Sequence, residues 1–591
     1  MKDFFKTFFA ALLALVVAGG VAFVLFFGLL AAIGSSGKPS VPGKAVLVFD
    51  LDTSLSDGER DPEPGEALSE ALGGGGGRSQ SLPVIIEALD RAASDGRITA
   101  LFLSGNLQGA GPAQLRELRE AIQRFKAKKP VLAYNLGWSK RDYYLAAGAS
   151  TVFINPFGEM EVNGLASEPM FFGEAFKKYG VEVQVTRVGK YKSAVEPFIT
   201  DRMSEPNREQ VQKLLDDIWG EWKGTVAKDR KKAPADLQAI ADEKGLVEAD
   251  EAKKLGLVDR IAPYDEVLDE LKKLAGRQPK DKDFPQITLA TYAGIPGEAK
   301  TGRARIAVVV AEGEIVDGEG KSSQVGGERL SRELRRLRLD ERVKAVVLRV
   351  NSPGGSASAS ELIQREVILT KKVKPLVVSM GHLAASGGYW ISTYGDRIFA
   401  EPSTITGSIG VFGLLPNVKK LANEHGITWD SVQTAKLANP MTLTRPKSEV
   451  ELTRIQGLVD HIYEQFVAKV ADSRKMKKEA VHEIAQGRVW SGQEAVKLGL
   501  VDELGGLGAA IRHAAKMAKA ENDFYVAGPE REPDALKELL KGLGQGKPRK
   551  LAKPGPVDAL AESFRLQLER LASLNDPQGV YARMPFELDL K

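Results

Sequence analysis

Val343-Lys344-Ala345-Val346-Val347-Leu348 and Ile98-Thr99-Ala100-Leu101-Phe102-Leu103 are two versions of one strand, written 245 residues apart. Each is a short apolar run rich in β-branched or aromatic residues, the composition of a strand buried on both faces. A second pair follows at the same displacement: Lys374-Pro375-Leu376-Val377-Val378 answers Lys129-Pro130-Val131-Leu132-Ala133. Further on, Lys497-Leu498-Gly499-Leu500-Val501-Asp502 answers Lys254-Leu255-Gly256-Leu257-Val258-Asp259 at 243 residues. A displacement held over so many elements marks tandem domains. Amphipathic stretches separate the runs. In Leu115–Lys128, for example, Leu118, Ile122 and Phe125 fall at helical spacing. Apolar strands alternating with helices predict, in each copy, a mostly parallel sheet covered on both faces.

Working outward, the first copy opens at Ala45-Val46-Leu47-Val48-Phe49-Asp50-Leu51 and the second at Ile306-Ala307-Val308-Val309-Val310. Upstream, no charged residue occurs between Lys6 and Lys38, and Phe8 to Ile33 is almost unbroken Leu, Val, Ala and Phe. A bilayer core needs roughly 20 helical residues, so this stretch is expected to span one. Lys2 and Lys6 orient the N-terminus toward the cytoplasm. The expected organisation is a cytoplasmic N-terminus at 1–7, one transmembrane anchor at 8–33 and a Gly/Ser/Pro linker at 34–43. Two domains at 44–290 and 300–520 and a C-terminal extension at 521–591 follow. Single-pass attachment to inner-membrane lipid, with the body in the periplasm, goes with that anchor. In the extension, Lys541–Pro556 reads as a linker and Asp558–Leu574 as a helical pattern.

At 591 residues the chain exceeds one comfortable core. Its 82 basic and 78 acidic residues leave no concentrated positive face, which argues against nucleic acid as a partner. Cysteine is absent, which removes disulfides, thiolate nucleophiles and cysteine metal sites. No Walker-type phosphate loop is present, and no metal or cofactor site is read from the sequence.

Two segments of the second copy carry candidate chemistry. Asn351-Ser352-Pro353-Gly354-Gly355-Ser356 follows a buried strand, and adjacent glycines there can aim successive N–H groups at an anion or oxyanion. A tight turn without a ligand explains the same residues. Ser379-Met380-Gly381-His382-Leu383-Ala384-Ala385-Ser386-Gly387-Gly388-Tyr389-Trp390 reads as a strand ending at Gly381 and a helix beginning near Ser386. That serine is either a helix cap or a nucleophile with the Gly387 N–H beside it. His382 is a poor candidate base: it shares a short segment with Ser386 and no acidic residue is placed to orient it.

These residues, with Thr406-Gly407-Ser408-Ile409-Gly410-Val411 and Arg187-Val188-Gly189-Lys190-Tyr191-Lys192-Ser193-Ala194-Val195-Glu196-Pro197-Phe198, resemble the signal peptide peptidase A (protease IV) family in its long, duplicated bacterial form. The resemblance runs to about Met517. It implies a crotonase-like or Clp-protease-like α/β fold in tandem, homotetrameric assembly and a Ser-Lys dyad. Ser386 falls on the nucleophile, Lys192 on the general base and Ser408 on the lysine's hydrogen-bond partner. Gly387 with Gly354 or Gly355 would supply the oxyanion N–H groups. The implied activity is an ATP-independent serine endopeptidase that degrades cleaved signal peptides and other apolar peptides at the membrane.

The repeat bears on this assignment. Around the dyad its displacement is 246, which maps Ser386 onto Lys140 and Lys192 onto Ala438. Ser139 lies one position from the first slot and Lys436 two from the second. Each copy is therefore expected to have kept one member of a shared site. A lysine at its usual pKa of about 10.4 cannot take a serine proton. Lowering it by about 3 units costs roughly 4 kcal/mol and requires a dry pocket without a carboxylate. Two other readings compete: a coenzyme A acyl-thioester enzyme that needs neither residue, and a non-catalytic membrane scaffold in which the two side chains lie apart.

Overall fold

The computed structural model describes residues 40–58, 79–296, 302–528 and 573–586, together with Val17, Gly20 and Arg565. Almost all of these fall in one unit made of residues 42–60, 79–529 and 554–591. A second unit, of 1–41, 61–78 and 530–553, lies almost wholly outside the described residues.

The duplication is visible strand for strand. In the first half the sheet runs Gln286–Thr288, Ala45–Asp50, Ile98–Ser104, Val131–Asn135, Thr151–Ile154, Arg260–Ile261. In the second it runs Phe524–Ala527, Ala304–Glu312, Val343–Ser352, Leu376–Ala385, Arg397–Ala400, Glu503–Leu504. Every pairing along both paths is parallel. Register repeats as well: Leu101 pairs with Val131, and Val346 with Leu376. Leu101, Val131, Val346, Val347 and Leu376 have no exposed surface, as strands covered on both faces require. The second sheet continues to Ala527, past the expected domain edge at 520.

A third, mixed sheet belongs to neither half alone. It contains β1 (Glu182–Arg187), β2 (Gly354–Ser356), β4 (Phe412–Asn417) and β5 (Tyr581–Arg583). β1 comes from the first half and pairs antiparallel with β4 of the second over six residues, Glu182↔Asn417 to Arg187↔Phe412. The long strand β3 (Leu376–Ala385) runs four residues past the expected stop at Gly381, because Ala384 and Ala385 pair with Thr406 and Gly407. Helix α1 (Glu205–Arg230) and the short helix α2 (Gly387–Ser392) complete the elements around the site.

The expected architecture is corrected in one respect. Among the described residues no helix is long and apolar enough to cross a membrane, so the transmembrane anchor and the single-pass inner-membrane placement are not upheld. The span expected at 8–33 lies, but for Val17 and Gly20, outside the described residues, as do the linker expected at Lys541–Pro556 and most of the helical pattern at Asp558–Leu574.

Candidate active site

Ser386 sits between the end of β3 and the start of α2, in the cap position of that helix. Its side chain makes no capping bond, and its backbone is held at φ +54°, ψ −111°. A non-glycine residue there carries strain of about 1–3 kcal/mol, which surrounding bonds must offset. Ser386 N–H donates to Gly407 O at 2.8 Å and Trp390 N–H to Ser386 O at 2.7 Å. This strained turn aims Oγ away from its own helix.

Oγ meets Lys192. The lysine Nζ lies 2.8 Å from Ser386 Oγ, 3.0 Å from Ser408 Oγ and 3.3 Å from Ser408 O, and all three residues are fully buried. A neutral amine has two N–H donors and one lone pair. Donation to the two Ser408 oxygens leaves the lone pair for the Ser386 hydroxyl proton. Burial holds the Lys192 pKa well below its usual value, and no neighbouring carboxylate pulls it back up. The separation required by the scaffold reading is therefore absent.

The first half delivers this lysine through the shared sheet. β1 leads to Gly189, where the chain turns, and Tyr191 N–H donates to Gln486 O at 3.0 Å. Gly487, at φ +79°, lies against the lysine backbone: a Cβ there would approach Lys192 N to 2.7 Å and its Cα to 2.8 Å. On the far side Gln210 of α1 donates to Tyr191 O at 2.9 Å. Buried Glu196 accepts from Ser204 Oγ at 2.5 Å and Asn207 Nδ2 at 3.0 Å. The lysine turn is thus pinned to α1. None of these supports carries a signal that sequence reasoning could rank above ordinary surface polarity.

Gly387 N–H occupies the first helical position, where no intrahelical acceptor exists. Gly354 lies beside it at φ +94°, and a Cβ on Gly354 would approach Gly387 N to 2.6 Å. Gly354 N–H donates to Ser352 Oγ at 3.1 Å, so it enters an oxyanion hole only by exchanging that partner. Gly355 lies next to it, paired with Ile315 and Ala582. His382 is packed elsewhere. A Cβ on Gly111 would lie 2.1 Å from its ring, and burial pushes its pKa down to about 4. The site also contains a group unnoticed in the sequence, the carbonyl of Gly410, 3.3 Å from Ser386 Oγ, an alternative acceptor for the one hydroxyl proton whenever the lysine Nζ donates to Oγ instead.

A family model for peptidase family S49 matches residues 123–278 and 368–521, one stretch in each half and together more than half the chain. The chain belongs to peptidase family S49. It is a serine protease with the duplicated organisation of that family. Protease 4 of Salmonella typhi is 35% identical to this S49 chain, over 94% of it and 92% of the relative. Protease 4 of Haemophilus influenzae is 34% identical over 95% and 94%. The chloroplastic serine protease SPPA of Arabidopsis thaliana is 34% identical over 78% and 70%. A solved ClpP1 mutant from Listeria monocytogenes aligns with 34% of the chain at 17% identity, with a TM-score of 0.24 that is too low to bear on the fold.

The counterpart site of this S49 chain differs from its ungapped mapping. The first-half helix equivalent to α2 starts at Lys140, so its cap, Ser139, stands where Ser386 stands in the second half. A serine is present there but committed: its Oγ donates to Asp142 Oδ2 at 2.6 Å and caps Asp142 N, with φ relaxed to −69°. Lys140 turns outward to Asn163 Oδ1 at 2.5 Å. Ala438 and the exposed Lys436 lie in an irregular segment away from regular structure.

Proposed function

We propose that Ser386 is the nucleophile and Lys192 the general base of an endopeptidase whose substrates are cleaved signal peptides and other apolar peptides. The observation that carries this reading is the 2.8 Å contact between Nζ and Oγ in a pocket that lowers the lysine pKa. As Oγ attacks the scissile carbonyl carbon, its proton passes to the Nζ lone pair. The carbonyl oxygen takes up negative charge facing Gly387 N–H, with Gly354 or Gly355 supplying a second donor. Collapse of the tetrahedral species breaks the C–N bond, and the ammonium of Lys192 returns the proton to the leaving amine. Water, deprotonated by the same lysine, then hydrolyses the acyl ester on Ser386. Ser408 holds Nζ in line throughout. Homotetrameric assembly and independence of ATP belong to the same proposal.

The test is cleavage of a quenched apolar signal-peptide fragment by wild type, Ser386→Ala and Lys192→Ala. Both variants are expected to lose at least about 10³-fold in kcat/KM, in line with loss of a nucleophile or its base. Undiminished cleavage in either one rules out the dyad. Light scattering of the purified protein checks the tetramer.

A further inference from the structure

The third sheet contains one strand that is out of place for a structural element. β5, from the C-terminal end of the chain, lies between β2 and β4. It runs antiparallel to the glycine strand, with Gly354↔Arg583, Gly355↔Ala582 and Ser356↔Tyr581, and touches β4 through Phe412↔Tyr581. Met584 N–H donates to Pro353 O at 2.7 Å, and Ser193 Oγ, next to Lys192, donates to Pro585 O at 3.3 Å. The Ala582 carbonyl oxygen points at the proposed oxyanion corner: a Cβ on Gly387 would lie 2.9 Å from it, and one on Gly354 2.1 Å. Two residues apart on one face, Met584 and Phe586 are buried against Leu214 and Ile218 of α1 and against Ala385 and Ile405. Asp576 fixes the approach, accepting from Ser356 Oγ at 2.6 Å and Ser358 N at 2.9 Å.

Removing β5 would leave β2 and β4 about two strand spacings apart, roughly 9.6 Å, with a free backbone edge on each side. That is a slot for one extended peptide, the geometry of strand addition, with an apolar trough for alternate side chains. We propose that Val580–Phe586 is a tethered pseudosubstrate: it fills the slot in which a peptide with apolar residues at alternate positions must lie to reach Ser386. The proposal rests on the Ser-Lys reading for which bond is cut, but not for what the slot binds. Tail and substrate exclude one another, so the full chain works only in the fraction of molecules whose tail has left.

Three forms decide it: the full chain, a chain ending at residue 572, and the full chain carrying Met584→Asp, which places a carboxylate in the apolar trough without removing residues. If the tail fills the slot in nine molecules of ten, both altered forms show a kcat/KM on the apolar peptide raised by about tenfold. A synthetic peptide of residues 577–586 inhibits the shortened chain competitively. Equal kcat/KM in all three forms, with no inhibition by the peptide, overturns the proposal and leaves the protease reading intact. Should the shortened chain not fold, Met584→Asp decides alone. If no form cleaves in a Ser386-dependent way, the dyad reading fails. Binding of the labelled 577–586 peptide to Met584→Asp in the Ser386→Ala background then still decides the slot: saturable binding supports it and none overturns it.

Discussion

On the Ser-Lys reading, Lys192 is the residue on which activity and stability pull in opposite directions. Its pKa is depressed, so the folded chain holds a neutral amine where the unfolded chain holds an ammonium. The unfolded state binds the extra proton below the usual value of 10.5, and stability is lowered there. The penalty is full below the depressed folded-state pKa and vanishes as pH rises to 10.5. Lys192→Met is therefore expected to raise the melting temperature at neutral pH while abolishing cleavage, and its advantage should shrink in scans toward pH 10. Cleavage itself should rise with pH through an ionisation well below 10.5; a kcat/KM profile whose limb sits at the ordinary lysine value would show that Lys192 is not the base. In the sequence, Ser386 was ambiguous between cap and nucleophile, and Lys192 was invisible except through resemblance. Nothing local marks a lysine as dry. Its burial depends on Ser408, Gly487 and α1, which approach from 13 to nearly 300 residues away along the chain.

Among elements, the turn Gln486–Arg488 decides where the lysine stands. Gly487→Ala would bring a methyl within 2.7 Å of the Lys192 backbone at a φ that alanine resists. We expect a fall of about 10²-fold in kcat with a normal far-ultraviolet spectrum, since a displacement near 1 Å at the reacting atoms costs that much. The longer strands were legible because their apolar runs repeat at a fixed displacement and need no partner to be recognised. β2 and β5, three residues each, were not. Such strands have no period to read, and their pairing is set by the sheet they enter. The extension of β3 past Gly381 escaped for the same reason: Ala384 and Ala385 look like a helix start until Thr406 and Gly407 lie beside them. An ungapped repeat likewise selected Lys140 over Ser139, because a one-residue difference before the helix is silent in sequence and plain in the cap.

At the scale of the whole molecule the halves are locked by charge as well as by strands. Arg349 of the second half, fully buried, donates to Asp57 Oδ1 at 2.5 Å and to Glu117 Oε1 at 2.6 Å, both from the first. Arg349→Met would strand two buried carboxylates, and we expect a loss of about 3–5 kcal/mol by urea denaturation. Combining it with Asp57→Asn and Glu117→Gln should recover much of that loss. Nearby, burial above all pushes Glu401 up to about 8, with Arg116 Nε at 3.0 Å opposing the rise. Between pH 4.5 and 8 the folded chain keeps a proton that the unfolded chain has released, so the contribution is full below 4.5 and fades as pH rises to 8. Glu401→Gln should flatten the decline in urea midpoint between pH 5 and pH 8; an unchanged slope would place the titration elsewhere.

The pairing of β1 with β4 has a further consequence. On the Ser-Lys reading, each copy supplies one working member of the pair, the first half's own serine, Ser139, being tied to Asp142, and the strand that carries the lysine across is hydrogen-bonded into its neighbour along its whole length. On the same reading, neither copy could be deleted without loss of the site. On that reading the two halves depend on one another for a single site. Fragments split between residues 296 and 302 should accordingly be inactive when expressed singly and regain cleavage only when produced together.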